Sequence, residues 1–182
     1  MKKVLYILAE LSDRDFSWLI TAGKRLQIPV GTTLIEEGKS INAVYIILNG
    51  SFAVCTEAMG GEEIARVSNG EILGEISFVD SRPPTATVKA LENSTVWSVS
   101  RAQLSAKLLQ DANFASHFYH ALAMFLADRL RGTVSRLGYN QKNNPDDRDD
   151  QSDKDLNPDF LRSLEIAQYR LDWMVHRLND IG

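Results

Sequence analysis

The sequence is poor in cysteine, proline and histidine, and it carries no surplus of positive charge. A single cysteine, Cys55, stands among 182 residues, which excludes an internal disulfide and any metal site built from several cysteines. A lone thiol fits a reducing compartment, so we expect a cytoplasmic protein. The formal net charge of −4 argues against a nucleic-acid-binding surface, and no nucleic-acid partner is expected.

Long apolar runs are missing as well. The apolar start at residues 4–9 is similar to a short signal peptide, but Glu10 and Asp13 interrupt it and no cleavage site of small residues follows. We therefore read it as mature sequence. No segment reaches the length that a membrane-spanning helix needs, so no membrane partner is expected.

Signatures of catalysis and of metal binding are equally scarce. His117, His120 and His176 fall in helical segments without cysteine or acidic residues at metal-ligand spacing, which favours surface histidines over a metal site. No nucleophile elbow is found either. We expect a protein that is not an enzyme and that holds no resident cofactor.

The chain is rich instead in short apolar stretches separated by glycine turns, between about residues 24 and 99. The pairs Asn49-Gly50 and Gly60-Gly61 predict hairpins, and Asn69-Gly70 predicts a further turn. Many short strands with turns at regular spacing indicate a closed antiparallel roll, or jelly roll, in a mainly β domain.

Helices are predicted on both sides of this region. The segments Ser12–Asp15 and Ser100–Gln103 both fit a capping box, which marks the start of a helix. Apolar residues at helical spacing then continue over residues 114–137, and Gly138 is the expected stop. We place the first domain at residues 1–138.

The remainder of the chain divides into two parts. Residues 139–156 are polar and rich in aspartate, which predicts a linker. Residues 157–182 form an amphipathic helix that begins with Asn157 as N-cap and Pro158 in the first turn. Its apolar residues follow a heptad spacing: Phe160, Leu164, Ala167, Leu171, Met174, Leu178 and Ile181. Such a face must pack on something, and the candidates are the long helix of the same chain or a second chain. Of these we expect a homodimer through both C-terminal helices.

One stretch carries more information than any other. It runs Gly74-Glu75-Ile76-Ser77-Phe78-Val79-Asp80-Ser81-Arg82-Pro83-Pro84-Thr85-Ala86-Thr87-Val88. It resembles the phosphate-binding cassette of cyclic nucleotide-binding domains, the family of catabolite activator proteins and protein kinase A regulatory subunits. The resemblance covers about residues 12–138. It implies a β-roll with an N-terminal helix, a long helix after the roll and, here, an extra C-terminal helix.

The resemblance also implies roles for individual residues. Gly74 starts a short helix whose first amides, on Ile76 and Ser77, face the cyclic phosphate, while Glu75 accepts the ribose 2′-hydroxyl. Thr85 falls where the family contacts phosphate or base, and Thr133 where activator proteins cap the adenine. Plainer readings remain open for each of them: a solvated turn for Glu75, a strand residue for Thr85 and a helix-face residue for Thr133.

The cassette departs from the family pattern at one position. The arginine that should hold the phosphate falls on Pro84, and the nearest arginine, Arg82, lies two residues earlier. Arg82 is either a substitute for the lost residue or a solvated loop arginine. Losing one charge-assisted hydrogen bond of about 1.5–3 kcal/mol weakens binding roughly 10- to 150-fold.

Two functions follow from this combination. The first is a regulatory sensor that binds cAMP or cGMP and moves its C-terminal helices in response. The second is a degenerate module of the same fold that binds no nucleotide and acts in protein interaction or dimerisation. A transcription factor is disfavoured, because the long helix is followed by acidic sequence without clustered basic residues.

Overall fold

The structure is a computed structural model that describes residues 6–139 and 158–177. The strands are β1 (Gly23–Ile28), β2 (Thr33–Ile35), β3 (Ala43–Asn49), β4 (Ser51–Thr56), β5 (Glu62–Ser68), β6 (Ile72–Leu73), β7 (Thr87–Ala90) and β8 (Ser94–Ser100). The helices are α1 (Tyr6–Glu10), α2 (Asp13–Ala22), α3 (Glu75–Asp80), α4 (Arg101–Gln110), α5 (Ala112–Tyr139) and α6 (Pro158–Arg177). The predicted roll with flanking helices is confirmed.

The strands form two four-stranded antiparallel sheets, in the orders β1-β8-β3-β6 and β2-β7-β4-β5. Gly60-Gly61 joins β4 to β5 as a hairpin, as predicted. The hairpin prediction at Asn49-Gly50 was wrong, whereas Asn69-Gly70 forms a turn as predicted. Asn49-Gly50 and Asn69-Gly70 carry the chain from one sheet to the other, because β3 and β6 pair in the first sheet while β4 and β5 pair in the second.

The corner at Gly50 shows why a glycine is needed there. Its φ is +103°, and a Cβ at this position would lie 2.1 Å from Oγ of Ser94. Residues with a side chain rarely adopt such a φ, and this one also leaves no space for a side chain. The dipeptide forms a turn, as predicted, but contacts with β8 determine which way the chain continues after it.

β3 is apolar along its whole length because it is buried on both faces. Val44, Ile46 and Leu48 point towards the helices, where they join the larger apolar core. Ile47 points between the sheets and packs in the second core with Phe52 and other residues of the roll. Alternation of side chains along a strand separates these two cores.

The helices cover the outer face of the first sheet. The capping box at Ser12 is confirmed, since its side chain accepts the Asp15 N–H and the Asp15 carboxylate accepts the Ser12 N–H. The predicted box at Ser100 was wrong, because the Ser100 side chain makes no capping bond. The Arg101 N–H there donates to the Asn42 carbonyl at 2.9 Å instead.

The long helix α5 passes Gly138, the expected stop, and is described as far as Tyr139. Its apolar stripe divides into two halves. Phe118, Leu122 and Phe125 are buried in the larger core, where α5 packs mainly against α1 and α4. Leu130 and Val134 are 65% and 58% exposed, so only the first half of the stripe is covered.

The apolar face of α6 is buried within its own chain. Leu164, Ala167, Leu171 and Met174 join the larger core, where α6 packs mainly against α1. Packing within the chain therefore provides a partner for this face among the described residues, and the homodimer remains a prediction. The linker was predicted at 139–156, but Tyr139 still belongs to α5. The rest of the linker, 140–156, and the positions Asn157, Leu178 and Ile181 lie outside the described residues.

Arg170 stabilises the contact of α6 with α1 and α2 through hydrogen bonds. Its guanidinium donates to the carbonyls of Leu8 and Leu11, each at 2.6 Å, and to the Asp13 carboxylate at 2.7 Å. The two carbonyls close the end of α1, where helical acceptors lack partners within the helix. A buried arginine in the apolar stripe thus fixes α6 on α1 and α2.

In the described ranges, no helix is both long and apolar enough to cross a bilayer.

Candidate functional site

A cavity of about 70 Å³ opens at the start of α3, between the roll and α5. Its walls are Ile35, Val54, Leu73, Gly74, Glu75, Ile76, Ser77, Pro84, Thr85, Ala86, Val88 and Arg129. Gly74 makes the turn from β6 into α3 with a φ of +83°, and a Cβ there would lie 2.7 Å from Ile41. The sequence therefore needs glycine at this turn both for its backbone angle and for space.

The first turn of α3 presents its backbone to this cavity. Gly74 is the residue before the helix, and the first intrahelical bond runs from the Phe78 N–H to the Gly74 carbonyl at 3.1 Å. The amides of Ile76 and Ser77 come before that bond, in the part of a helix where N–H groups lack helical acceptors. Both residues line the cavity, so the predicted group of Gly74, Glu75, Ile76 and Ser77 is brought together there.

Glu75 has a partner that the sequence reasoning missed. Its carboxylate lies 2.5 Å from Nη1 of Arg129 on α5, and its side chain is only 4% exposed. Burial raises the pKa of Glu75, and the nearby Arg129 guanidinium offsets part of that rise. Among the described residues that line the cavity, Arg129 carries the one positive charge. The pair ties the cassette directly to the long helix.

No signal in the sequence singles out Arg129. It lies in a helix that also contains Arg131, and both stand 54 or more residues from Glu75 along the chain. Arg131 is exposed. Which of them reaches the cassette depends on how α5 is rotated about its axis, and packing of Phe118 and Phe125 in the larger core sets that rotation.

Pro84 and Thr85 form part of the opposite wall. The carbonyl of Pro84 accepts the Gly38 N–H at 2.9 Å, and the carbonyl of Thr85 accepts the Thr56 hydroxyl at 3.4 Å. These bonds hold the segment against the second sheet. The position where the family pattern has arginine is thus inside the cavity wall and contributes a ring without an N–H.

Two predicted ligand residues do not line the cavity. The Arg82 side chain is 81% exposed, and its Nε lies 3.5 Å from the Asp80 carboxylate. This matches the reading of a solvated loop arginine and does not place Arg82 as a substitute for the missing one. Thr133 is exposed, and its hydroxyl donates to the Arg129 carbonyl one turn earlier at 2.9 Å.

The histidines lie elsewhere. Nδ1 of His117 is 2.7 Å from the Asp15 carboxylate, and Nδ1 of His120 is 2.8 Å from the Glu10 carboxylate. Each contact joins α5 to one of the first two helices. Within residues 6–139 and 158–177, no group of three or more metal-ligating side chains is found.

The fold combines a two-sheet antiparallel roll, a glycine-glutamate turn that opens a short helix, and a long helix beside the cavity. Residues 25–111 match the family model of the cyclic nucleotide-binding domain. The match covers 87 of the 182 residues, and this part of the chain is similar in sequence to cyclic nucleotide-binding domains.

Relatives share this domain within larger proteins. The chain is 30% identical over 121 residues to the Pycsar effector protein XpPycTIR of Xanthomonas perforans, covering 66% of this chain and 38% of that protein. It is 28% identical over 123 residues to the cyclic AMP receptor protein of Thermus thermophilus, covering 66% of this chain and 55% of that protein. The chain thus spans less than two thirds of either relative.

Solved structures show the same fold. A cyclic nucleotide-binding domain from Methylobacillus flagellatus superposes with a TM-score of 0.69 at 22% identity, over 79% of this chain and 84% of that one. The catabolite activator protein of Thermus thermophilus gives a TM-score of 0.62 at 22% identity, over 75% and 63% of the two chains.

Proposed function

We propose that this protein is a regulatory sensor in which a cyclic nucleotide enters the cavity at α3 and changes the position of α5. The observation that carries the proposal is the Glu75–Arg129 ion pair, since it joins the predicted ribose-binding carboxylate to the long helix. A ligand that engages Glu75 has to compete with a group on α5, so binding and helix position are coupled.

The chemistry of the exchange follows from the two side chains. A ribose 2′-hydroxyl donates to the Glu75 carboxylate, which weakens the hold of that carboxylate on Arg129. The ligand also brings one negative charge on its phosphate. Arg129 is then the cation available to it, because Pro84 offers none. In this scheme Arg129 takes over the charge that the cassette has lost.

The size of the cavity supports movement of α5. Sites for small organic ligands usually enclose about 300–1,000 Å³, well above the 70 Å³ at α3. Most of the walls belong to strands, which are held by their sheets, or to the segment bonded to Gly38 and Thr56. Arg129 is the wall that comes from α5, whose exposed residues Leu130 and Val134 show that this half of the helix is not packed on the roll.

The runner-up is a degenerate module that binds no nucleotide. It is favoured by Pro84 in the cavity wall and by the ion pair that Glu75 already forms with Arg129 within the chain. In that case the exposed Leu130 and Val134 on α5 provide the apolar contact for a homodimer. Dimerisation through the C-terminal helices, a cytoplasmic location, and the absence of catalysis and of nucleic-acid binding remain predictions.

Calorimetry with cAMP and cGMP tests the sensor. If the missing arginine is the main defect, Pro84→Arg should tighten binding by about 10- to 100-fold, since it restores one charge-assisted hydrogen bond. Arg82→Ala is the matched control, because Arg82 is exposed and outside the cavity, and it should bind as wild type does. If calorimetry detects no binding of either nucleotide to wild type or to Pro84→Arg, the sensor function is rejected in favour of the degenerate module that binds no nucleotide.

A further inference from the structure

The C-terminal end of α3 is held by an arginine that the cassette pattern does not include. Arg101 follows directly after β8, and its guanidinium donates to the Ser77 carbonyl at 2.8 Å and to the Ser81 hydroxyl at 3.1 Å. Its Cζ also lies 5.6 Å from the centre of the Phe78 ring. Arg101 therefore contacts three residues in the last turn of a six-residue helix.

That end of α3 has an unusual backbone. Ser81 has a φ of +60° and is the one non-glycine residue with a positive φ in the described part of the chain. Its N–H closes the helix on the Ser77 carbonyl at 3.1 Å. A left-handed conformation is unfavourable for a residue with a Cβ, so it persists where neighbouring contacts fix it. The two hydrogen bonds from Arg101 reach both residues of this closure.

Arg101 is itself fixed to the roll. Its N–H donates to the Asn42 carbonyl, just before β3, and its backbone continues from β8, the strand between β1 and β3. Its side chain is half-buried. Neither Asn42 nor a residue of β8 lines the cavity, so this anchorage of Arg101 on the roll is separate from the cavity.

The two ends of α3 are thus held by different arginines. At the start, Glu75 is paired with Arg129, which faces the cavity and belongs to α5. At the end, Arg101 is anchored on the sheet. Between them, the Phe78 ring contacts Phe118 of α5 edge-on, with 6.0 Å between the ring centres. The first contact can be exchanged for a ligand, whereas the last one is part of the scaffold.

We propose that Arg101 is a positioning residue that holds the C-terminal end of α3 as a pivot. It keeps the first amides of the helix directed at the cavity. A change at Glu75 then turns α3 about this fixed end and reaches α5 through Phe78. The ligand-driven half of this inference rests on the proposed sensor function, while the holding of α3 is a property of the ligand-free protein.

Hydrogen exchange followed by mass spectrometry tests the pivot without any ligand. In Arg101→Gln, amides in residues 75–82 should exchange at least roughly tenfold faster than in wild type, because two charge-assisted bonds are lost. Peptides from β4 and β5 should be unchanged. Arg101→Lys should restore part of the protection, and Arg66→Gln, which removes an exposed arginine on β5, should have no effect at α3.

A second variant separates positioning from general destabilisation. If Arg101 acts by holding the closure at Ser81, then Ser81→Gly in the Arg101→Gln background should regain protection over residues 75–82, since glycine accepts a positive φ. Exchange at residues 75–82 that matches wild type in Arg101→Gln would overturn the proposal. So would faster exchange spread equally over the roll.

Titration of the same variants with cAMP and cGMP measures whether Arg101 also affects nucleotide binding. If wild type binds cAMP or cGMP, Arg101→Gln should bind about tenfold more weakly at unchanged β-roll protection, and unchanged affinity would overturn the coupling to ligand. If wild type binds neither nucleotide, the proposed sensor function is rejected. Exchange at residues 75–82 still decides whether Arg101 holds α3.

Discussion

Replacing Arg129 by glutamine tests whether the link between the cassette and α5 is energetically important. The substitution removes the cation that faces Glu75 and keeps a side chain of similar shape on α5. Removing one partner of a fully buried ion pair costs about 3–5 kcal/mol, whereas an exposed pair contributes about 0–1 kcal/mol. The Glu75 side chain is 4% exposed and that of Arg129 34%. We therefore expect a loss of about 2 kcal/mol in the free energy of unfolding at neutral pH.

For a chain of this size, that loss lowers the Tm by about 4–8 °C. The loss should depend on pH. Burial already raises the pKa of Glu75 above its usual 4.5. A carboxyl with a raised folded-state pKa favours the folded state most below pH 4.5, and this contribution falls as the pH rises through the folded-state pKa. Removing Arg129 raises that pKa further, so the deficit of the variant should be larger at pH 8 than at pH 5.

Thermal unfolding of wild type and variant at pH 5 and pH 8 measures this. Arg131→Gln is the matched control, because it removes an exposed arginine two positions along the same helix and should leave the Tm unchanged. The double variant Glu75→Gln with Arg129→Gln should regain much of the lost stability, since no buried charge remains. An Arg129→Gln protein as stable as wild type, or one whose deficit is the same at both pH values, would refute the reasoning.

Two further predictions concern the helices. The Lys107 ammonium and the Phe114 N–H lower the pKa of Asp111 to about 2, so its stabilisation is present above pH 3.8 and lost as the pH falls towards 2. Urea unfolding at pH 7 should therefore give Asp111→Asn a lower free energy of unfolding than wild type, and this difference should become smaller below pH 4. A difference that stays constant with pH would contradict the prediction. Leu171→Glu places a charge in the contact between α6 and α1 and should lower the stability by about 3 kcal/mol or more at unchanged molar mass in light scattering. Ile166→Glu, on the exposed side of α6, should change neither property, and dissociation of a wild-type dimer by Leu171→Glu would show that the stripe contacts a second chain.

The roll could be predicted from the sequence because its signals are local. Glycines at 50, 60, 61, 70 and 74 all have a positive φ, and each marks a turn between apolar stretches. The cassette residues from Gly74 to Ser77 are consecutive, so one local turn brings them to the same cavity. Neighbours along the chain stay neighbours in space, and no long-range information was needed for them.

The strand partners were not local in this sense. Asn49-Gly50 has the composition of a hairpin, but β3 pairs with β8 and β6 while β4 pairs with β7 and β5. A turn motif specifies that the chain reverses or bends. Which sheet the next strand joins depends on distant strands that compete for its hydrogen bonds.

The same limit applies to charged side chains that meet across the fold. Arg129 reaches Glu75, Arg101 reaches Ser77, and Arg170 reaches Leu8 across 162 positions of sequence. Their neighbours in the chain have no feature that distinguishes them from exposed arginines such as Arg82. The sequence by itself determined the strands, the turns and the cassette, because these follow from local backbone preference and apolar periodicity. Only the tertiary structure decided which cation enters the cavity and where α6 packs, because both depend on the rotation and docking of helices that are remote in sequence.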